Sequence, residues 1–100
     1  RSSFARVELY TGPAVVPTDG WHGLREQLSS MHDYVARVGE PADGLQRIEV
    51  RQGKERMLGL VRIVPRKGEY VALVALVPLR RWGTEREAVA GILRSATVVE

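Results

Sequence analysis

One hundred residues with 44% hydrophobic and 27% charged side chains describe one globular domain able to bury a single core, and exclude a disordered chain. With no cysteine, disulfides, thiolate metal sites and cysteine nucleophiles are excluded, while the compartment stays open. The net charge of +3 is unevenly placed: residues 1–50 carry five basic and seven acidic side chains, residues 51–100 ten and five, an asymmetry that can attract nucleic acid or anionic lipid.

ARVELY (Ala5–Tyr10) alternates, with Ala5, Val7 and Leu9 on one side and Arg6, Glu8 and Tyr10 on the other, and reads as a half-buried strand. TGPAVVPTDG follows with two prolines and two glycines and reads as a loop. From Trp21 the apolar residues Leu24, Leu28, Met31, Val35 and Val38 recur three and four apart, which predicts one stripe of a helix of about five turns. Thr18 or Asp19 offers an N-cap oxygen, Gly39 a left-handed C-cap, and Pro41 lies beyond.

Three strands are predicted next. QRIEV alternates with Ile48 and Val50 inward, Gly53 centres a short turn, and RMLGLVRIV (Arg56–Val64) is mostly apolar. PRKGE (Pro65–Glu69) turns the chain again. YVALVALVPL is apolar at every position from Tyr70 to Val77, which predicts a strand covered on both faces and central in its sheet. At about ten residues the run is half of what a bilayer-spanning helix needs, so no transmembrane segment is expected.

PLRRW leads into the last element. Thr84 and Glu87 have the spacing of a capping box, so a helix is expected to start at Gly83–Thr84 with Val89, Ile92 and Leu93 as its apolar face. Trp82 is then placed to staple against Ala88 or Val89, leaving Arg80 and Arg81 to face solvent, and ATVVE exits as a short strand or tail. The order is β-α-β-β-β-α-(β): a single α+β domain over residues 1–100, an antiparallel sheet with two amphipathic helices packed on it. Its start at Arg1, with no methionine or signal-like segment, reads as a processed chain or the C-terminal part of a longer one. Both helices on one face would leave the other face of Met57–Val64 and Tyr70–Val77 bare. A preceding segment or a second subunit is the expected cover, ahead of one helix on each face.

Residue types that carry chemistry do not converge. His22 and His32, ten residues apart on the expected helix, would point about 80° apart and lie about 15 Å apart along the axis, too far to share a metal. Ser29 and Ser30 lack the strand-to-helix turn and oxyanion hole of a hydrolase nucleophile. Glu26 and Asp33, like Glu85 and Glu87, are surface helix positions with no apolar pocket to raise a pKa. His22, Glu26 and Asp33 are the one weak cation site available. No phosphate loop or dinucleotide fingerprint is present, so no cofactor is expected.

The basic residues are better placed. Arg47, Arg51, Lys54 and Arg56 surround the first hairpin, Arg66 and Lys67 sit on the second, and Arg80-Arg81 end the apolar strand. Alternate connections of a meander share one end of the sheet, so Arg51, Lys54, Arg56, Arg80 and Arg81 can form one surface for an anion or a partner, diluted by Glu49 and Glu55. With no exposed aromatic array, nucleic-acid binding there would be backbone-directed and salt-sensitive.

The α-β-β-β-α order resembles double-stranded-RNA-binding domains, but GTEREAVAGIL places Glu85 and Glu87 where their second helix carries lysines. It also resembles small α+β-barrel monooxygenases, which have two strands between the helices rather than three. The pattern YVALVALVPLRRW followed by EAVAGILRSATVV, with Leu93-Arg94-Ser95 at the helix end, more closely resembles the PsbP-like group. That group includes the photosystem II extrinsic subunit, the Ran-binding import factor of the same fold, and DcrB-like and LpqN-like bacterial envelope lipoproteins. Its usual N-terminal strand pair with a Pro-x-x-Trp step has no counterpart in this sequence.

The resemblance implies a non-enzymatic binding or assembly module, frequently extracytoplasmic, with a protein partner or self-association and no shared catalytic residues. Nucleic-acid or anionic-surface binding through the basic hairpins is the second expectation. A small oxygenase-like or hydrolytic enzyme is the third, which a ligand-sized apolar cavity between helix and sheet would favour.

Overall fold

The computed structural model describes residues 6–13 and 19–96. Its elements are β1 (Arg6–Pro13), α1 (Asp19–Ser29), β2 (Tyr34–Arg37), β3 (Gln46–Gln52), β4 (Glu55–Arg66), β5 (Glu69–Pro78), a 3-10 turn (Leu79–Arg81) and α2 (Trp82–Ser95). The five strands form one antiparallel sheet in the order β1-β5-β4-β3-β2. The α+β class holds, but four strands rather than three separate the helices. The expected ATVVE strand lies almost wholly outside the described residues, as does an N-cap at Thr18. Thr11, Gly12 and Pro13, expected in a loop, belong to β1, and residues 14–18 of that expected loop lie outside the described residues.

The extra strand comes from the second half of the predicted helix. α1 stops at Ser29, and Met31 and His32 both donate their amides to the Leu28 carbonyl, the tightening that ends a helix. The Ser30 hydroxyl donates to the Gln27 carbonyl at 2.7 Å, another bond that competes with continued helix. Asp33 then fixes the strand. Its amide donates to the Arg51 carbonyl at 2.9 Å, and its carboxylate accepts the Gly53 amide at 2.7 Å. Val35 pairs with Val50 and is buried as a strand residue, while Met31 and Val38 are exposed. Gly39 has φ +71 but serves the β2–β3 connection instead of capping a helix.

Each helix covers its own face of the sheet. On the first, Leu24 and Leu28 of α1 pack on Tyr70, Ala72, Val74 and Leu76 of β5, Met57 and Val61 of β4, and Ile48 and Val50 of β3. On the second, Trp82, Val89, Ala90 and Leu93 of α2 pack on Ala75 and Val77, with Leu58, Leu60 and Leu73 at the margin. The expectation that a missing segment or a second subunit covers one side of β5 is therefore corrected. Period-two alternation sends Tyr70, Ala72, Val74 and Leu76 to α1 and Ala75 and Val77 to α2, so the unbroken apolar run needs both helices. β5 is internal, as predicted, but β4 is the middle strand.

Tyr70 locks α1 down. A Cβ at Gly12 or at Gly23 would stand 2.7 Å from the Tyr70 ring, so only glycine lets strand and helix close on it. The Gln27 amide donates to the Tyr70 hydroxyl and, at 2.9 Å, to the Thr11 carbonyl. This satisfies a buried phenol and ties α1 to β1 in one step.

β1 forms where expected but with its faces reversed. Tyr10 is the side chain packed against the α1 core, whereas Val7 and Leu9 are 45% and 63% exposed. Burial, then the Glu8 carboxylate that accepts its proton at 2.5 Å, pushes the Tyr10 phenol well above its ordinary pKa. The capping box is also absent. α2 grows directly from the 3-10 turn at Trp82, with no side-chain cap, because the turn carbonyls already accept from the first helical amides.

Among the described residues no helix is long and apolar enough to cross a membrane.

Candidate binding groove

The five basic residues expected to form one surface lie at one end of the sheet, but their charges are partly spent. Arg51 and Arg56 face each other across β3 and β4, and each donates its Nε to the same Glu49 oxygen at 2.9 Å. These two hydrogen bonds hold the Glu49 carboxyl below its ordinary range. Arg51 also lies 4.7 Å from the centre of the Tyr34 ring. Lys54 is exposed in the Gly53 turn. Arg80 is exposed in the 3-10 turn, which packs against β4, so it shares that end of the sheet. Arg81 does not face open solvent: it is half-buried and approaches Glu85 at 4.0 Å. The five residues thus share a rim, with Glu49 and Glu85 set among them.

The histidines stay apart. His22 pairs with Glu26 at 3.1 Å on the open surface of α1. His32 lies beyond the helix end instead of on it, half-buried, with Nδ1 unpartnered. Asp33 is bound to the Gly53 amide, so His22, Glu26 and Asp33 do not meet. Among the described residues no three His, Asp or Glu side chains gather as a metal would need. A shallow depression beside His22 and Ser29 has walls from α1 alone and offers nothing opposite to hold a substrate.

A concavity bounded by separate elements lies on the α2 face. It is a groove of about 320 Å³ between α2 and the β2–β3 connection, lined by Val38, Glu40, Leu45, Arg47, Leu60, Trp82, Arg86, Glu87, Ala90 and Arg94 among others. Trp82, Arg86, Ala90 and Arg94 recur every four residues along one side of α2 and make one wall. Leu45, buried and joined to Ala42 by paired backbone hydrogen bonds, anchors the opposite wall. Leu60 forms the floor. Arg47, from β3, sits 5.7 Å from the centre of the Trp82 ring, which holds its charge at the groove edge.

Arg62 holds the whole wall in place. Its Nη1 donates to the Leu93 and Ala96 carbonyls at 2.8 and 2.7 Å, satisfying helix-end acceptors with a cation where the dipole favours one. Arg86 and Arg94 have no hydrogen-bond or ion-pair partner among the described residues. The groove therefore offers an apolar floor edged by three guanidinium groups and two carboxylates, with no nucleophile beside a base.

Neither Arg86 nor Arg94 was read from the sequence as a binding residue. The four-residue spacing from Trp82 was visible there, but the opposite wall depends on where the β2–β3 connection lies.

No protein-family model, curated protein or solved structure matches this chain.

Proposed function

We propose that the protein is a non-catalytic binding domain that takes an extended, acidic and partly apolar segment of a partner protein into the α2 groove. The observation that carries this reading is the pairing of an apolar lining, Leu45, Leu60 and Trp82, with Arg86 and Arg94, whose charges are unanswered by described neighbours. An extended peptide sends alternate side chains opposite ways, so apolar residues can meet the floor while carboxylates meet the arginines. The arrangement favours a peptide over nucleic acid, because both described aromatic rings on this face already carry an arginine, Tyr34 under Arg51 and Trp82 under Arg47, and are not open platforms for bases. The PsbP-like likeness implies the same class of activity, and it rests on the apolar strand, its proline, the Arg-Arg-Trp step and the Leu93-Arg94-Ser95 helix end.

Trp82 supplies the test. In a Trp21→Phe background it is the sole tryptophan, and a short peptide alternating glutamate and leucine should change its emission saturably. Reversing both charges, Arg86→Glu with Arg94→Glu, should weaken binding at least about tenfold, and an alternating lysine–leucine peptide should not bind. An unchanged affinity in the double variant would reject the groove. Duplex DNA that displaces the peptide, with affinity falling steeply as salt rises, would replace this reading with the nucleic-acid one.

A further inference from the structure

The other flank of α2 and the strand beside it show a different surface. β1 is an edge strand of eight residues, paired with β5 on one side and with no described strand on the other. Unpaired edges of this length are normally covered or blunted, since their amides and carbonyls template another strand. Apolar exposure coincides with this edge. Val7 and Leu9 pair with Ala75 and Leu73 of β5, so they project on the α2 side. The α2 end lies over that row: Leu73 pairs with Arg62, which holds the Leu93 and Ala96 carbonyls. At about 100° per residue, the flank opposite Arg86 and Arg94 carries Ala88 and Ile92 and looks towards β1. Ile92 is 52% exposed. Val7 and Leu9, which alternation marks for burial, are thus exposed, next to an edge with no described strand and an exposed isoleucine.

We propose that a second copy of this chain covers the edge, the two β1 strands pairing antiparallel about a dyad at Leu9 to make one continuous sheet. A two-fold axis normal to the sheet keeps each copy's α2 on the same side. It also requires directly opposed residues to share a face, so the dyad must fall on a residue. On Leu9, Leu9 of one copy faces Leu9 of the other, Val7 faces Thr11, Glu8 faces Tyr10 and Arg6 faces Gly12. No like charges are opposed. Each Tyr10 phenol, already a donor to Glu8 within its own chain, meets the other copy's Glu8 as well. Moving the dyad to Glu8 would set two carboxylates against each other. Moving it to Val7 would leave residues 9–13 with no described residue opposite them. The strand is self-complementary about Leu9, and this selects a second copy over an unrelated partner. Because an edge contact buries little area, the dimer is expected to dissociate in the micromolar range.

Absence of cysteine throughout the chain makes the register directly readable. Leu9→Cys should oxidise to a covalent dimer, since the Cα atoms of directly opposed residues lie about 4.5–5.5 Å apart, within the span a disulfide bridges. Val7→Cys alone should not, because its two copies would be about 13 Å apart. Val7→Cys with Thr11→Cys should link again. Sedimentation of the unmodified chain should show a concentration-dependent dimer, and Leu9→Lys should shift its midpoint at least about tenfold with an unchanged circular dichroism spectrum. A monomer at every concentration would overturn the proposal, and so would equal linking of Leu9→Cys and Val7→Cys. Neither result depends on the peptide groove, whose residues lie on the opposite flank of α2.

Discussion

The two faces of this sheet are covered by helices that dock differently. α1 sits flush: Gly12 and Gly23 let strand and helix close on the Tyr70 ring, and Gln27 bridges to the strand beneath. α2 stands on a ridge of Trp82, Val89 and Leu93, leaving an arginine-edged groove on one flank and bare apolar side chains on the other. A helix seated by glycine and a ring has no room for a ligand. One seated on bulky residues leaves clefts at its sides, and both inferred binding surfaces lie there.

Core truncation should show the largest effect and treat the faces alike. Leu28→Ala and Leu93→Ala each remove a side chain with no solvent exposure, and each should cost about 2–5 kcal/mol in denaturant unfolding. Glycine replacement should then separate the faces by sign. Gly23→Ala forces a methyl to within 2.7 Å of the Tyr70 ring and should destabilise by about 1–3 kcal/mol. Gly91→Ala meets nothing within 4 Å on α2 and should stabilise by up to about 1 kcal/mol through helix propensity. If both substitutions stabilise, the flush seating of α1 is wrong.

Smaller effects test the junction between the faces. Asp33→Ala removes the acceptor of the Gly53 amide and should cost about 1 kcal/mol, with faster amide exchange in β2 than in β5. The smallest effect is a pH dependence. Glu49 has a folded-state pKa below its ordinary 4.5, so its clamp on Arg51 and Arg56 contributes in full above about that pH. The contribution is lost as pH falls through the lower folded value. Glu49→Gln should flatten that acid limb of the stability curve, and its persistence unchanged would remove Glu49 as the cause.

Where the sequence was misleading, a local signal met a distant partner. The spacing of Leu28, Met31, Val35 and Val38 is helical, yet Asp33 reaches the Gly53 amide twenty residues on, and pairing with β3 turns the segment into a strand. Thr84 and Glu87 match a capping box, yet the 3-10 turn had already started the helix. The hairpin arginines were legible as a group because meander connectivity fixes which loops share an end. Arg86 and Arg94 were not, since half of their groove belongs to a connection more than forty residues earlier.

Composition and periodicity were enough to determine the α+β class, the two apolar hairpin strands and an internal strand dry on both sides, because alternation and turn glycines act over a few residues. Only the tertiary structure decided that the helices take opposite faces, that β2 is a strand and that Val7 and Leu9 point away from the α1 core. Those outcomes depend on which distant surface each segment meets, and that contact outweighs the small local preferences written along the chain.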